Sequence, residues 1–263
     1  MIDLQIVAMN LIYDFTAFCT SIVAQSEGGQ MFHSRNLDYN IPGLKNITVV
    51  LHFTSNGTRL YSCATFLGYV GCLTGMRPQV FSVTVDERDQ ANGTIWENIG
   101  EALKGGRSIG MFLRDTLAKE DDFNSALQII TTTPLIAPVY IIVGGATAGQ
   151  GYVVTRNRTD AADVWSLQEA NQWWLVETNY DHWLPDPPSD PRATVANKAM
   201  QALGQASLSE DGLYGVLSTQ PVLNSMTDYT AQMQVPTGNI TVWIRWDAPS
   251  EMEAPGPIRQ RRH

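Results

Sequence analysis

A cysteine near the amino terminus has neighbours that could make its sulfur reactive. Cys19 opens an apolar run that is followed, after the turn signal EGG at 27–29, by Arg35 and Asp38. If the two runs pair as a hairpin folded at that turn, Arg35 and Asp38 return toward Cys19. A guanidinium stabilises a thiolate, and a carboxylate can hold a proton donor or an ammonium group. From these residues alone a core cysteine beside an ordinary salt bridge is favoured, with a nucleophilic thiol as the alternative.

Other arrangements of reactive residues have less support. A thiol can pair with a histidine base, but no histidine here stands in a papain-type or caspase-type signature. His182 alone lies in a polar, aromatic motif, so a Cys/His dyad with it stays open. Neither paired cysteines nor an H-E-x-x-H motif occurs, and we expect no metal and no cofactor. Cys63 and Cys72 are interpreted as two apolar core thiols, with a bridge across a hairpin as the alternative.

Composition excludes several classes of protein. The 263 residues carry a formal charge of −9, and a nucleic-acid partner would need a basic surface, so none is expected. The uncharged stretch 123–155 contains Pro134, Pro138 and Gly144, which break any membrane span. Residues 1–7 carry an acid where a signal peptide has positive charge, and they are predicted to form a strand. Five N-x-S/T sequons favour a glycosylated protein of the secretory pathway: Asn46, Asn56, Asn92, Asn157 and Asn239.

The elements that must position these residues are predicted from periodicity and turn signals. Strands are expected at 20–25, 30–35, 47–53, 59–66, 80–85, 139–143, 152–155, 164–167, 174–178, 227–234 and 241–246. Helices are expected at 95–103, 109–117, 123–130, 194–203 and 208–217, the third capped by Asp121 or Asp122. Strands, then helices, then strands again predict an α+β layered domain without an internal linker. The tail 248–263 is expected to be disordered.

Ordered short motifs carry a specific resemblance over roughly residues 10–245. They are CTSIVA at 19–24, RNLD at 35–38, FLGYVG at 66–71, DER at 86–88, TPLIA at 133–137, GG at 144–145, TRNR at 155–158 and ETNYDHW at 177–183. Together they resemble the catalytic subunit of the N-acylethanolamine acid amidase and acid ceramidase family. DERD at 86–89, WEN at 96–98 and DHW at 181–183 resemble the amidase branch more closely.

The resemblance implies an N-terminal nucleophile hydrolase with a four-layer αββα sandwich of antiparallel sheets. Such enzymes cleave their own precursor before the nucleophile, which here would be the Phe18–Cys19 bond. The Cys19 thiol would then act as nucleophile and its freed α-amine as base, since an α-amine titrates near ~7.7 and a thiol near ~8.5. The substrate would be a lipid amide, an N-acylethanolamine hydrolysed to fatty acid and ethanolamine at acidic pH.

The resemblance also implies roles for individual residues. Arg35 would tune the thiolate, Asp38 would hold the new ammonium, and Asn179 would supply an oxyanion-hole amide worth ~3 kcal/mol. Arg192 would orient Asp38 or Asn179, although its SDPRAT context at 189–194 departs from the family's usual sequence. Glu87 would join the same polar network. Aromatic residues in a sheet protein usually belong to the core, and lining of an apolar channel for the acyl chain is the alternative considered for Tyr39, Leu73, Trp173 and Trp174.

The short segment before Cys19 sets the expected organisation. The family's precursors carry a signal peptide and an α-subunit of roughly a hundred residues there. We therefore expect residues 1–18 to be an α-subunit remnant and 19–247 to be the catalytic β-subunit, in a lysosomal or secreted protein. A separate α-subunit or a membrane or detergent surface would then give lipid access. The alternatives are a ceramidase, a penicillin V or bile-salt acylase-like amidase, and an inactive paralogue acting as a binding partner.

Overall fold

The fold is built from two antiparallel sheets and flanking helices. A computed structural model describes residues 18–88 and 104–248. Within these residues the strands are β1 Phe18–Gln25, β2 Met31–Asp38, β3 Thr48–Ser55, β4 Thr58–Phe66, β5 Thr74–Arg77, β6 Phe81–Glu87, β7 Val139–Gly145, β8 Gly151–Arg156, β9 Ala161–Ser166, β10 Trp174–Glu177, β11 Thr227–Gln234 and β12 Asn239–Ile244. The helices are α1 Leu44–Ile47, α2 Ile109–Lys119, α3 Phe123–Thr132, α4 Leu167–Ala170, α5 Arg192–Leu203 and α6 Glu210–Leu217, with a 3₁₀ turn at Gln205–Ser207.

The strand order explains how the amino-terminal hairpin reaches the centre of a sheet. One sheet has five strands in the order β10-β1-β2-β11-β12, and the other has seven in the order β3-β4-β5-β6-β7-β8-β9. The hairpin of β1 and β2 turns where predicted, with Gly29 at φ 81°, a conformation that favours glycine. β1 and β2 are therefore flanked on both sides by partner strands, and their side chains point into packed layers.

Alternation along the strands separates a helix-facing layer from an inter-sheet layer. Ile22 and Ala24 of β1 pack with Ala196 and Met200 of α5. The intervening Val23 packs instead between the sheets, in a cluster with residues of β7 and β8. On the other side, α2 and α3 cover the seven-stranded sheet. The result is the predicted four-layer αββα sandwich.

Most predicted elements are confirmed, and the exceptions have physical causes. β5 was not predicted because Gly75 lies at its centre, and glycine weakens a strand signal. A Cβ at Gly75 would lie 2.5 Å from Cδ1 of Leu117, so α2 can pack this closely only against a glycine. The four-residue helices α1 and α4 are too short to show a helical period. The predicted helix at 95–103, the strand at 1–7 and the tail from 249 lie outside the described residues.

The structure also tests the predicted helix cap, the membrane span and the exposure of the sequons. Of the two candidate caps for α3, Asp122 is used, because its carboxylate accepts the Ser125 amide N–H at 2.8 Å. In the described part of the chain, no helix is both long and apolar enough to cross a membrane. The four sequon asparagines that are described, Asn46, Asn56, Asn157 and Asn239, are all exposed, whereas Asn92 lies outside the described residues.

The interpretation of Cys63 and Cys72 as separate core thiols is wrong. They form a disulfide with a Cα–Cα distance of 5.8 Å. Cys63 lies opposite Gly75 in the β4–β5 ladder, and the Cys72 sulfur lies 2.6 Å from where a Cβ on Gly75 would be. The bridge therefore fits because the opposite position has no side chain. Cys19 is the free thiol, and it is buried.

We expect replacement of both Cys63 and Cys72 by alanine to lower the free energy of unfolding by about 2–3 kcal/mol, because the short loop they close gains freedom in the unfolded chain. Guanidinium unfolding followed by tryptophan fluorescence measures the change. Reductant should bring the wild-type midpoint down to that of the double variant and leave the double variant unaffected. Alkylation of three thiols in the denatured, unreduced wild-type chain would contradict the bridge.

Candidate active site

The thiol of Cys19 is held by a buried arginine of the neighbouring strand. Cys19 is the second residue of β1, is fully buried, and pairs with Leu37 of β2 in the ladder. Arg35 stands two residues earlier on β2, so its side chain lies on the same face of the sheet and reaches diagonally toward Cys19. Its Nη2 donates a short hydrogen bond to the Cys19 Sγ. The proximity of Arg35 and Cys19 expected from the hairpin is thus present.

Arg35 itself is fixed by the seven-stranded sheet. Its Nη1 donates to the backbone oxygen of Leu73 at 3.0 Å and to Oγ1 of Thr74 at 3.1 Å. Its Nη2 lies 3.5 Å from Oδ1 of Asp86, and both side chains are wholly buried. Because four groups from three strands surround the guanidinium, its position relative to the sulfur is set by the packing of one sheet on the other.

The protonation state of Cys19 follows from these neighbours. Burial raises the pKa of the Cys19 thiol well above its ordinary value, and the positive charge of Arg35 lowers it in part. The charges of Asp86 and Asp38 raise the thiol pKa further. Burial is the larger effect, so the thiol is protonated in the uncleaved chain at neutral pH. A reaction of this sulfur therefore needs a group that accepts its proton.

Two distant side chains hold the backbone of Cys19. The Cys19 amide N–H donates to Oδ1 of Asn179 at 3.0 Å. Arg192 donates from Nη1 to the Cys19 carbonyl oxygen at 2.6 Å and from Nη2 to Asn179 Oδ1 at 2.7 Å. The amide of Asn179 donates to the backbone oxygen of Glu87 at 2.8 Å. In the uncleaved chain Asn179 thus presents its carbonyl oxygen to Cys19, and its role as an oxyanion-hole donor stays a prediction.

Asp38 lies on the helix-facing side of β2, close to the same backbone. Its Oδ2 accepts from Asn224 Nδ2 at 2.9 Å and lies 3.6 Å from Nη1 of Arg192. Its Oδ1 is buried and accepts no hydrogen bond from any described residue. Burial raises the pKa of Asp38, with Arg192 and Asn224 opposing that shift. Asp38 pairs with Phe18 in the β1–β2 ladder, one residue before Cys19, and its role of holding an ammonium group stays a prediction.

Arg192 is positioned in spite of its unusual sequence context. It begins α5, and Asp190 just before the helix accepts two hydrogen bonds from it, both at 2.7 Å. The guanidinium also lies 5.9 Å from the centre of the Phe18 ring. It contacts Asn179 and approaches Asp38, the two residues that it was expected to orient.

The acid buried beside Arg35 is Asp86, which sequence analysis missed in favour of Glu87. Glu87 is half-buried, and its backbone oxygen accepts the Asn179 amide. Asp86 is fully buried, and its Oδ1 accepts from Ser21 Oγ at 2.9 Å. The sequence of β6 could have identified Asp86, because Ser82, Thr84 and Asp86 alternate along the strand and therefore share its polar face. Burial raises the pKa of Asp86 to about 7 against the opposing effects of Arg35 and Ser21.

None of the described histidines serves as a base for Cys19. His33 lies between Ser82 Oγ at 2.8 Å and Thr84 Oγ1 at 3.0 Å, and burial lowers its pKa to about 3. His52 bonds Ser62 on β4, and His182 stacks on Trp165. The dyad of Cys19 with His182 is therefore absent, while His263 lies outside the described residues.

A cavity of about 360 Å³ adjoins the Phe18–Cys19 bond. It is lined by Phe18, Tyr180, Arg192 and Met226 among others. Tyr39 lines a neighbouring cavity that shares Met226. Tyr39 and Leu73 are both buried in the main core, and the backbone of Leu73 supports Arg35. Their predicted contact with an acyl chain stays a prediction. Trp174 lines a different cavity, beside β10.

Comparison with known proteins agrees with this fold and shows the family. A solved conjugated bile acid hydrolase from Clostridium perfringens is 12% identical, superimposes with a TM-score of 0.54, and covers 86% of this chain and 92% of its own. That likeness shows the fold. The sequence model of the linear amide C–N hydrolases, choloylglycine hydrolase family, matches residues 19–220. This match begins at Cys19 and spans more than half of the chain, so the protein belongs to that family of amide hydrolases.

Other relatives have a higher sequence identity to this chain and are amidases and a ceramidase. The N-acylethanolamine-hydrolyzing acid amidase of Cavia porcellus is 48% identical over 232 residues, which are 87% of this chain and 65% of the relative. The solved ortholog from Caenorhabditis elegans is 40% identical with a TM-score of 0.77, covering 86% of this chain and 99% of that chain. Acid ceramidase of Homo sapiens is 35% identical over 259 residues, 92% of this chain and 65% of that protein. The chain thus spans about two thirds of the curated relatives it matches.

We expect Asp86→Asn to change how stability depends on pH. The folded pKa of about 7 exceeds the ordinary 3.8, so Asp86 contributes stability that is present at low pH and lost as pH rises toward 7. The free energy of unfolding of the variant, relative to that of the wild type, should therefore rise by up to about 4 kcal/mol between pH 4 and pH 7. Denaturant unfolding at several pH values measures this difference. The exposed Asp121→Asn should show no such trend, and a pH-independent offset for Asp86→Asn would refute the assignment.

Proposed function

We propose that this protein is a self-processing cysteine amidase that hydrolyses N-acylethanolamines to free fatty acid and ethanolamine at acidic pH. The observation that carries the proposal is the set of contacts around Cys19. Arg35 contacts its sulfur, Asn179 accepts its amide N–H, and Arg192 donates to its carbonyl. A structural cysteine needs none of these contacts, whereas a residue that uses both its sulfur and its nitrogen in chemistry needs all of its atoms oriented.

Processing would start from the buried thiol. The Cys19 sulfur attacks the carbonyl carbon of Phe18, and the proton of the thiol passes to the departing Cys19 nitrogen as the Phe18–Cys19 amide breaks. Water then hydrolyses the thioester, which frees the Phe18 carboxyl group and restores the thiol. Asp38 pairs with Phe18 across the ladder, and its raised pKa keeps it protonated over a wider pH range, so it would be the proton donor at acidic pH.

Hydrolysis of the lipid amide repeats the same chemistry on an external carbonyl. The Cys19 sulfur adds to the amide carbon while the freed α-amine takes the thiol proton and delivers it to the leaving nitrogen. Ethanolamine departs, and water resolves the acyl thioester to the fatty acid. Arg35 stabilises the sulfur anion, and Asn179 and Arg192 keep the α-amine aligned. The 360 Å³ cavity at Phe18 is where the reacting amide would enter.

The substrate class rests on the relatives. The amidases that are 48% and 40% identical are named for hydrolysis of N-acylethanolamines, and their names include the word acid. We propose an acidic compartment, the lysosome, or secretion, with glycans on the exposed sequons. The match covers 65% of the Cavia porcellus amidase. We further propose that an α-subunit or a membrane surface gives the lipid substrate access to Cys19.

We expect incubation of the full chain at about pH 4.5 to yield two fragments, residues 1–18 and 19–263, in an intact-mass measurement, because acid supplies the proton that the leaving nitrogen needs. Cys19→Ala should stay whole and hydrolyse nothing. Glu120→Gln, at the end of α2 in the opposite helix layer, should cleave like the wild type. A folded wild-type chain that never cleaves would favour an inactive binding partner instead.

A panel of saturated ethanolamides and ceramides tests the substrate class on the cleaved chain. We expect the ethanolamide to have a kcat/KM at least tenfold higher than a ceramide with the same acyl chain, a difference of about 1.4 kcal/mol in transition-state binding. The measurement is release of the common fatty acid. Faster release from the ceramide would assign the chain to ceramide hydrolysis, and release from penicillin V or a bile-salt conjugate alone would assign it to the acylase branch.

A further inference from the structure

A second and larger cavity lies at the edge of the five-stranded sheet. It has a volume of about 580 Å³ and lies beside β10, the edge strand, and α5. The residues that matter for its chemistry are Trp165, Trp174, Glu177, Tyr180, His182 and Lys198. Its volume falls within the range of roughly 300–1,000 Å³ that is typical of small-molecule sites. The contacts that orient Cys19 in the proposed amidase chemistry involve neither Glu177, His182 nor Lys198, although Tyr180 also lines the cavity at Phe18 and Trp174 is a candidate for contact with the acyl chain.

Glu177 is a buried carboxylate with an unused oxygen. Its side chain is 1% exposed, and its Oε1 accepts the Thr178 amide N–H at 2.9 Å. Its Oε2 is buried and accepts no hydrogen bond from any residue in the described ranges. A buried carboxylate oxygen without a donor is costly, so this position favours a ligand that donates to it.

The surrounding charges leave Glu177 without a cation of its own. Asp86 and Asp181 both disfavour its ionised form, and Arg88 only partly offsets them. Arg88 is engaged by Asp181 through two hydrogen bonds of 2.7 and 2.9 Å. Burial and these acids raise the pKa of Glu177 well above its ordinary value. Glu177 therefore keeps its proton to a higher pH than an ordinary glutamate, and a cation bound beside it would favour its ionised form, whereas an anionic ligand is disfavoured.

The rest of the lining adds a second acceptor and aromatic walls. His182 Nδ1 is buried and unpartnered among the described residues, and burial lowers the His182 pKa, which keeps the ring neutral. Trp165 stacks on His182 with ring centres 4.1 Å apart. Trp174 is fixed by its Nε1 donating to Asn197 Oδ1 at 2.8 Å. Aromatic faces around a carboxylate favour an organic cation, and neutral nitrogen favours one with N–H donors.

We propose that this cavity binds a small molecule carrying a primary ammonium and an apolar group, with Glu177 as its counter-ion and His182 as a second acceptor. On binding, Glu177 releases its proton to solvent and its Oε2 accepts a hydrogen bond from the ammonium, while the apolar group lies against Trp165 and Trp174. Lys198 lines the cavity from α5. Because its positive charge would repel the ammonium, we place the ammonium next to β10. The site is independent of the Cys19 thiol, and its occupation does not depend on the proposed amidase activity.

Calorimetry on the full chain at pH 7 tests the site with 2-phenylethylammonium as probe and 2-phenylethanol as its uncharged analogue. We expect saturable binding of the ammonium and at least tenfold weaker binding of the alcohol, because a charge-assisted hydrogen bond is lost. Glu177→Gln should weaken ammonium binding at least tenfold. Glu120→Gln, in the other helix layer, should leave it unchanged. Equal binding of alcohol and ammonium, or unchanged binding to a folded Glu177→Gln, would overturn the proposal.

A spectroscopic measurement locates the probe and does not depend on the folding of the glutamate variant. With indole nitrogens labelled with ¹⁵N, the ammonium should shift the signals of Trp165 and Trp174, identified by Trp165→Phe and Trp174→Phe. The signals of Trp243 and Trp246, which lie outside this cavity, should stay in place. Shifts confined to Trp243 or Trp246 would put the probe elsewhere and overturn the assignment.

Discussion

The interaction on which the site depends is the burial of the Arg35 guanidinium between two sheets. An isolated buried cation is strongly disfavoured, so its surroundings must supply acceptors and negative charge. Here they are the Leu73 carbonyl, the Thr74 hydroxyl, the Asp86 carboxylate and the Cys19 sulfur. Of the two protonation states of Cys19, the thiolate would interact more favourably with the Arg35 guanidinium than the thiol does. Arg35 therefore favours ionisation of Cys19, whereas burial and the charge of Asp86 oppose it and keep the thiol pKa raised.

This constraint explains why one inter-sheet region is polar in an otherwise apolar sandwich. Ser21 bonds both Asp86 and Thr84, and Thr84 bonds His33, so hydroxyl groups link the two sheets next to Arg35. Val23 and the residues of β7 and β8 fill the neighbouring region with apolar side chains. Since strand alternation puts every second side chain into this layer, hydroxyl residues at these positions supply donors and acceptors where aliphatic residues could not.

Sequence reasoning reached the parts of the site that are local. The hairpin turn at Gly29 and the alternation of β1 and β2 suffice to bring Arg35 near Cys19, because register follows from the turn. The pairing of Cys63 with Cys72 depends on the missing side chain of Gly75 opposite Cys63, in a strand that the sequence did not predict. The orientation of the Asn179 amide is likewise set by Arg192 and Glu87 from distant elements. The resemblance pointed to Asn179, but its carbonyl contact with Cys19 required coordinates.

The contacts of the Cys19 nitrogen show how one arrangement can serve two reactions. In the uncleaved chain this nitrogen is an amide with a single hydrogen, and Asn179 Oδ1 accepts it. Cleavage would convert it into an ammonium with three hydrogens, so two further acceptors would be needed. Asp38 Oδ1 is buried near this backbone and accepts no hydrogen bond from a described residue. The acceptor that is superfluous before cleavage becomes useful after it, and an ammonium there would lower the raised pKa of Asp38. If the chain cleaves as proposed, the contacts now made by the Cys19 nitrogen and Asp38 would suit the ammonium that cleavage creates.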